Sequence, residues 1–185
     1  MFMSARPILA AGLSGFIHVR FPVWLGLLML IMPLSAMAEW QVVNQSSADK
    51  QTTTKVAYTE NNDGYSLEIY RDKVGAIRSR FTLARALDRM AKRSCPTYQV
   101  DQRLLDNRSI NDAPCLTDMN WSEYIMGYVQ DDVIKSSRLN ALVNGSVITF
   151  RFRLENGDYR ETQFSLAGSK RATITVLGAN ISIVP

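Results

Sequence analysis

The chain has 185 residues, of which 46% are hydrophobic, 21% charged and 9% aromatic, with a formal net charge of +4. This composition is typical of a globular protein and unlike that of a disordered or collagen-like chain. The one histidine, His18, lies in a segment that we expect to be removed, which excludes a Ser-His-Asp triad, a Cys-His dyad and any histidine-ligated metal site from the processed chain.

Residues 1–38 have the pattern of a secretory signal peptide. The first part contains arginine but no acid, residues 21–36 are almost wholly apolar, and Ala36-Met37-Ala38 offers small residues at a cleavage site. The apolar run is shorter than the about 20 residues of a membrane-spanning helix, although an uncleaved anchor is the alternative. Cleavage would leave 147 residues and a net charge of +2, since 19 Lys and Arg face 17 Asp and Glu. We therefore predict a periplasmic or secreted protein with no transmembrane domain after cleavage and no nucleic-acid partner.

The next part of the chain has the pattern of a β-meander. Residues 39–54 are polar and predict a linker or a loose first strand, so we place a single β-rich domain at residues 55–185. Apolar residues then alternate with polar ones from Val56 to Leu83, with turn-forming sequences between the runs. Arg78 and Arg80 fall on the outward side of the last strand of this meander.

The spacing of the apolar residues changes after Leu83. Leu83, Leu87 and Met90 recur at helical spacing, which predicts a short amphipathic helix that ends at Cys95-Pro96. The opposite side of this helix would be cationic, because it carries Arg85, Arg89, Lys92 and Arg93.

Cys95 and Cys115 can form only one disulfide, and export would place them in an oxidising compartment. A redox-active pair is the alternative, but their spacing is not that of the C-x-x-C motif. We therefore predict a structural disulfide that closes the polar segment between them.

The second half of the chain predicts a strand, a helix and a hairpin. Residues 121–129 read as a largely buried strand, and Asp131 or Asp132 is expected to cap a helix that ends near Asn144. Residues 147–166 have the clearest alternation in the chain and contain an Asn-Gly turn.

The register of this hairpin can be predicted. A three-residue loop, Glu155–Gly157, places Phe150 opposite Thr162, Ile148 opposite Phe164 and Arg151 opposite Glu161, with Gly157 left-handed. A two-residue loop would instead place phenylalanines opposite polar residues. Residues 169–178 remain ambiguous, because β-branching favours a strand and Ser169 could cap a helix.

These elements predict a β-rich α+β fold, either a small antiparallel β-sandwich or a strongly curved sheet, with two short helices. The end of the chain also resembles a known family. A short leucine-containing helix pattern at 137–145 is followed by the basic-aromatic hairpin and by Phe164-Ser-Leu-Ala-Gly-Ser-Lys-Arg-Ala172. This ending resembles that of the invasion-associated locus B family of exported bacterial proteins, over about residues 76–177. The resemblance implies a periplasmic or envelope protein, linked to host interaction in some members, and it carries over no catalytic residue.

The strongest candidate site in the sequence is cationic. A fixed positive surface could bind lipopolysaccharide phosphates, anionic lipid headgroups or an acidic protein, whereas an ordinary solvated face is the alternative. The predicted surface consists of Arg78, Arg80, Arg85, Arg89, Lys92 and Arg93.

We therefore predict a non-catalytic interaction module of the envelope that uses no metal and no cofactor. A small-ligand-binding β-module, with residues 124–129 lining a cavity, is the second hypothesis. A histidine-free hydrolase would need a pair of carboxylates or a Ser-Lys dyad in a cleft, and the spacing of Glu68, Glu123 and Glu161 selects no two of these carboxylates.

Overall fold

The computed structural model of the chain describes residues 39–46, 53–84, 88–103 and 115–185. The predicted signal peptide lies outside the described residues. The strands and helices, in chain order, are β1 (Gln41–Ser46), β2 (Thr53–Glu60), β3 (Ser66–Arg71), β4 (Ala76–Thr82), β5 (Thr97–Val100), β6 (Cys115–Thr117), β7 (Trp121–Tyr128), β8 (Val133–Lys135), α1 (Ser137–Asn144), β9 (Val147–Arg153), β10 (Tyr159–Ser165), α2 (Ser169–Leu177) and β11 (Ser182–Val184).

Two antiparallel sheets form most of the fold. The larger sheet has the strand order β1-β2-β3-β4-β7-β6, and the smaller has the order β10-β9-β5. A short parallel pair, β8 with β11, joins the end of the chain to the segment that precedes α1. The predicted class, a β-rich α+β fold with antiparallel sheets and two short helices, is confirmed.

The meander forms β2, β3 and β4 as its alternation indicates. Gly64 and Gly75, in the two turns, have positive φ, a conformation that glycine adopts without steric cost. β1 pairs with β2 along all six of its residues, from Gln41 opposite Tyr58 to Ser46 opposite Thr53. The larger sheet therefore begins before Lys55.

The inner faces of the two sheets meet in an aromatic core. Phe81 of β4 and Phe150 of β9 stack with ring centroids 4.5 Å apart and planes 9° apart. Phe164 of β10 meets both rings edge-on, at 6.2 Å from Phe81 and 6.0 Å from Phe150. Aromatic contacts of this kind contribute about 0.5–1.5 kcal/mol each beyond their burial of apolar area.

The hairpin register is confirmed. Phe150 lies opposite Thr162, Ile148 opposite Phe164, and Arg151 opposite Glu161, and Gly157 has a φ of +97°. Arg151 Nε donates to Glu161 Oε2 at 2.6 Å on the solvent-exposed side. The register follows from burial, since a shift by one residue would expose the phenylalanines.

The predicted helix after Leu83 is wrong in the described residues. The N–H of Leu83 donates to the carbonyl of Asn120, and the N–H of Met90 donates to that of Met119. The N–H of Ala91 donates to the carbonyl of Arg153 across to the smaller sheet. These backbone groups thus pair with the β6–β7 turn and with β9 instead of within a helix, and none of the described residues between β4 and β5 is helical. Residues 85–87, with Arg85 and Leu87, lie outside the described part of the chain.

The predicted helix cap at Asp131 or Asp132 is also wrong. Gln130 and Val133 exchange backbone hydrogen bonds, and both aspartates form the tight turn between them, with φ of +49° and +58°. The helix α1 begins six residues later, where the Ser136 hydroxyl accepts a hydrogen bond from the N–H of Leu139 at 3.1 Å. The predicted end near Asn144 is correct.

Residues 169–177 form the helix α2. Its N-cap position is Gly168, and the Ser169 hydroxyl donates to the carbonyl of Leu142 instead of capping the helix. Ala172 and Leu177 are buried where α2 covers β2 and β3. This tertiary burial outweighs the strand preference of the β-branched residues.

The predicted disulfide is confirmed. Cys95 and Cys115 are bonded, with their Cα atoms 6.0 Å apart. The bond ties the segment that precedes β5 to the short edge strand β6. In the described part of the chain, neither α1 nor α2 has the length and hydropathy to span a membrane.

Shortening Phe81 to alanine should lower the free energy of unfolding by about 3–5 kcal/mol, because the side chain is fully buried and stacked between the sheets. Urea denaturation followed by tryptophan fluorescence measures this change. The Val74→Ala variant is the control, because Val74 is 79% exposed and its loss should change stability by less than about 0.5 kcal/mol. Equal losses in the two variants would contradict the assignment of the ring stack as the centre of the core.

Candidate functional site

Arg78 and Arg80 lie on the outer face of the larger sheet, away from the aromatic core. Their neighbours in the sheet lie on the same face, because Tyr70 of β3 is opposite Arg78, and Glu123 of β7 is opposite Arg80. Side chains directly opposite one another in antiparallel strands are close enough to interact. This register brings two arginines, a tyrosine and a glutamate together.

Glu123 is the centre of this group and is only 5% exposed. Its Oε1 accepts from Arg78 Nη1 at 2.7 Å, and its Oε2 accepts from Arg80 Nη2 at 2.7 Å and Nε at 3.0 Å. The Tyr70 hydroxyl also donates to Oε2. Arg78 makes a second ion pair, in which Nε donates to Asp72 Oδ2 at 2.6 Å. We name these five residues the Glu123 network.

Aromatic rings hold the guanidinium of Arg80 from both sides. Its Cζ lies 5.4 Å from the centre of the Tyr70 ring and 5.0 Å from the centre of the Trp121 ring. Each contact is a cation–π interaction, which contributes about 0.5–2 kcal/mol depending on exposure. Arg80 is thus fixed by charge, hydrogen bonds and ring contacts.

The pKa values follow from this arrangement. Burial raises the pKa of Glu123, but the hydrogen bonds from Tyr70, Arg80 and Arg78 outweigh burial and hold the pKa below its usual range. Burial likewise opposes the ionisation of Asp72, yet the bonds from Arg78 and from the backbone of the turn lower its pKa. Burial and the bond to Glu123 raise the pKa of Tyr70. Both carboxylates are therefore ionised, and the tyrosine is neutral, at neutral pH.

The structure separates the predicted cationic surface into two parts. Arg78 and Arg80 are neutralised by Asp72 and Glu123, so they add no free positive charge to the outer face. Arg89, Lys92 and Arg93 lie instead on the segment between β4 and β5, and all three are exposed. Within the described ranges of the chain, none of these three side chains makes an ion pair.

The backbone of this cationic segment is held at both ends. The carbonyl of Arg89 accepts from the N–H of Glu155 at 2.8 Å, the N–H of Met90 donates to Met119 in the β6–β7 turn, and the N–H of Ala91 donates to Arg153 of β9. Arg93 has a left-handed φ of +58° in the turn that leads to the disulfide. Hydrogen bonds and a covalent bridge thus fix the direction in which the segment presents its cations.

Two surface cavities flank the segment. One, of about 320 Å³, has Lys92 and Arg93 in its wall together with Met90 and Met119. The other, of about 370 Å³, includes Arg89. Asp118 and Glu155 lie in the same walls, so the positive charge is local to the three side chains and does not form a broad cationic field.

Of the residues 124–129 that were proposed to line a ligand cavity, Tyr124 and Met126 belong to the core, whereas Ile125 and Tyr128 are exposed. Tyr124 is 2% exposed, and its hydroxyl donates to the carbonyl of Pro96 at 2.5 Å. Met126 is 3% exposed and contacts Tyr98. Both side chains pack between the sheets. The residue that β7 contributes to a candidate site is therefore Glu123, on the outer face.

Comparison with known proteins identifies no relative of this chain. No protein-family model matches the chain, and no curated protein and no solved structure is significantly similar to it. In the part of the chain that the structure describes, no three His, Cys, Asp or Glu residues are grouped as a metal ion would require.

Replacing Glu123 with glutamine should destabilise the protein by about 3–5 kcal/mol, because Arg78 and Arg80 each lose an ion pair and Arg78 keeps only its pair with Asp72. The native protein should also lose stability as the pH falls below about 4.3, since the unfolded chain then binds protons that folded Glu123 and Asp72 resist. Urea denaturation between pH 7 and pH 3 measures both effects, and the Glu123→Gln variant should show the weaker acid dependence.

The matched control is Glu161→Gln. Glu161 also pairs with an arginine, but both partners are more than 40% exposed, so its loss should change stability by at most about 1 kcal/mol. A loss for Glu123→Gln as small as that of the control would show that the network contributes little to stability.

Proposed function

We propose that this chain is an exported, non-catalytic protein of the bacterial envelope that binds an anionic component through Arg89, Lys92 and Arg93. The observation that carries the proposal is the combination of exposure, absence of an ion pair within the described residues, and backbone hydrogen bonds at Arg89, Met90 and Ala91. Unpaired cations on a rigid segment can contact phosphate or carboxylate oxygens without first breaking internal salt bridges.

Three further features support an envelope location. The disulfide between Cys95 and Cys115 is stable in an oxidising compartment, as the periplasm or the cell exterior provides. The signal-peptide pattern of residues 1–38 and the resemblance to the invasion-associated locus B family support export independently of the disulfide.

The chemistry of the cationic segment favours a compact anionic group in close contact. Acidic side chains nearby would weaken long-range attraction, whereas direct contacts within the cavity beside Lys92 and Arg93 are less affected by them. Met90 and Met119 add apolar surface to the same wall. The phosphates of lipopolysaccharide, which adjoin acyl chains, have this combination of charge and apolar surface, and they are the partner that we propose to test first.

The triple variant Arg89→Glu, Lys92→Glu and Arg93→Glu should lose binding to immobilised lipopolysaccharide by at least about 100-fold in affinity, because three attractive charges become repulsive. Surface plasmon resonance at low and physiological salt measures the loss. The control variant reverses Lys55, Lys73 and Lys135, which are also exposed and change the net charge equally.

Unchanged binding in the first variant would exclude the cationic segment as the site. An equal loss in both variants would show that binding depends on net charge and not on this segment. Anionic phosphatidylglycerol vesicles, tested in parallel, distinguish a requirement for lipopolysaccharide from a general affinity for anionic headgroups.

The proposed location has a separate test. Intact mass spectrometry of the protein from fractionated cells, after alkylation of free thiols, should give a mass that begins at Glu39 and carries no alkyl group. A full-length mass with two alkylated thiols would contradict export, cleavage and the disulfide together.

A further inference from the structure

The outer face of the larger sheet carries a second polar group, at the end nearest the β2–β3 turn. Two cross-strand rows lie side by side there, because Glu68 is opposite both Tyr58 and Arg80, and Ser66 is opposite both Glu60 and Thr82. Except for Arg80, every side chain in these rows ends in an oxygen. Arg80 belongs to the Glu123 network, whereas the other five side chains of these rows do not.

A cavity of about 600 Å³ lies over these rows. The side chains in its wall that carry oxygen are Tyr58, Glu60, Ser66, Glu68 and Thr82. No lysine or arginine is part of this wall as the structure describes it. The cavity is therefore rich in hydrogen-bond acceptors and contains two carboxylates without a cation.

Glu68 carries the strongest indication of a ligand. The residue is only 8% exposed, and its Oε1 accepts from Gln45 Nε2 at 2.8 Å, whereas its buried Oε2 has no hydrogen-bond partner in the described structure. Arg80, its neighbour in the row, directs its guanidinium to Glu123 and Tyr70 instead. A buried carboxylate oxygen without a donor is unfavourable, and a bound donor would remove that cost.

The charges on this face also favour a cation. Among the described residues, the outer-face carboxylates are those of Glu60, Glu68 and Glu123, and Asp72 pairs with Arg78 beside them. On this described part of the face, only Arg78 and Arg80 oppose these four carboxylates. The face thus has a local excess of two negative charges, both in the cavity wall. The sequence had placed this face in the cationic surface, on the strength of its two arginines.

We propose that this cavity binds a primary ammonium group, with Glu68 Oε2 as its main acceptor. An ammonium has three N–H donors and no acceptor, which matches a wall of carboxylate and hydroxyl oxygens. The Tyr58 ring, in the same wall, offers an aromatic surface of the kind to which cations bind. A metal ion is disfavoured, because the described residues include no cluster of three metal-binding side chains.

The ammonium could belong to a free alkylamine or to a lysine side chain of a protein. The two sources share the charged group and its alkyl stem, so both should fill the same cavity. We propose to use n-butylammonium chloride as the probe for the first source and Nα-acetyl-lysine amide for the second.

The experiment is a titration of the isotope-labelled full chain followed by amide NMR. Both probes should give saturable shifts confined to residues 58–68 and 80–83. Glu68→Gln should weaken binding by about tenfold or more, since one charge-assisted hydrogen bond is lost. Glu60→Gln should weaken it by a smaller factor and provides the second variant if Glu68→Gln does not fold.

Glu161→Gln is the matched control, because Glu161 is an exposed glutamate on the smaller sheet. The affinity of this variant for the two ammonium probes should be unchanged. Tetramethylammonium has the charge but no N–H donor, and it should bind more weakly than n-butylammonium. Binding of the lysine amide but not of the alkylamine would assign the site to a protein partner.

Three results would overturn the proposal. The first is the absence of saturable shifts with both probes, and the second is an unchanged affinity in both glutamine variants. The third is stronger binding of Ca²⁺ or Mg²⁺ than of either ammonium at the same residues. None of these results bears on the anionic partner of Arg89, Lys92 and Arg93, which lie on another part of the chain.

Discussion

The stack of Phe81 on Phe150 is the contact on which the other features depend. It joins the middle of the larger sheet to the middle of the smaller one, and Phe164 closes it from the side. Because side chains alternate along a strand, burying Phe81 sets the direction of its neighbours in β4. Arg78 and Arg80 must then lie on the outer face, where the Glu123 network and the cavity beside Glu68 are formed.

The Glu123 network fixes how β4 and β7 pair. These strands are far apart in the chain, since Glu123 follows Arg78 by 45 positions. A shift of β7 by one residue would move Glu123 to the inner face, among phenylalanine rings, and would break its ion pairs with Arg78 and Arg80. The cost of a buried carboxylate without these partners therefore opposes a one-residue shift.

Local patterns predicted much of the fold but not the order of its strands. Alternation predicted the meander, and burial of the phenylalanines predicted the hairpin register residue by residue. The helix expected after Leu83 failed because the same spacing also suits a non-helical segment, whose buried residues Leu83 and Met90 donate to the carbonyls of Asn120 and Met119 in the β6–β7 turn. The helix cap expected at Asp131 failed because two adjacent aspartates also suit a tight turn with positive φ.

The candidate sites were predicted only in part. The sequence identified Arg89, Lys92 and Arg93 as exposed cations, and they are exposed. It could not show that Glu123 neutralises Arg78 and Arg80, because that requires knowing that β7 lies beside β4. For the same reason, no sequence pattern indicated that Glu68 and Glu123 belong together. Period-two alternation alone does place each of them on the outer side of its own strand.

The hydrogen bonds that hold Arg89, Met90 and Ala91 have an entropic consequence. Ordering one backbone residue of a flexible loop costs about 1–2 kcal/mol, and a mobile loop meets that cost each time it binds a partner. In this protein the backbone at these residues is already ordered by folding. Binding of an anion therefore needs to restrict only the rotamers of the exposed side chains. A modest number of contacts can then give measurable affinity, and the exchange of partners can stay fast.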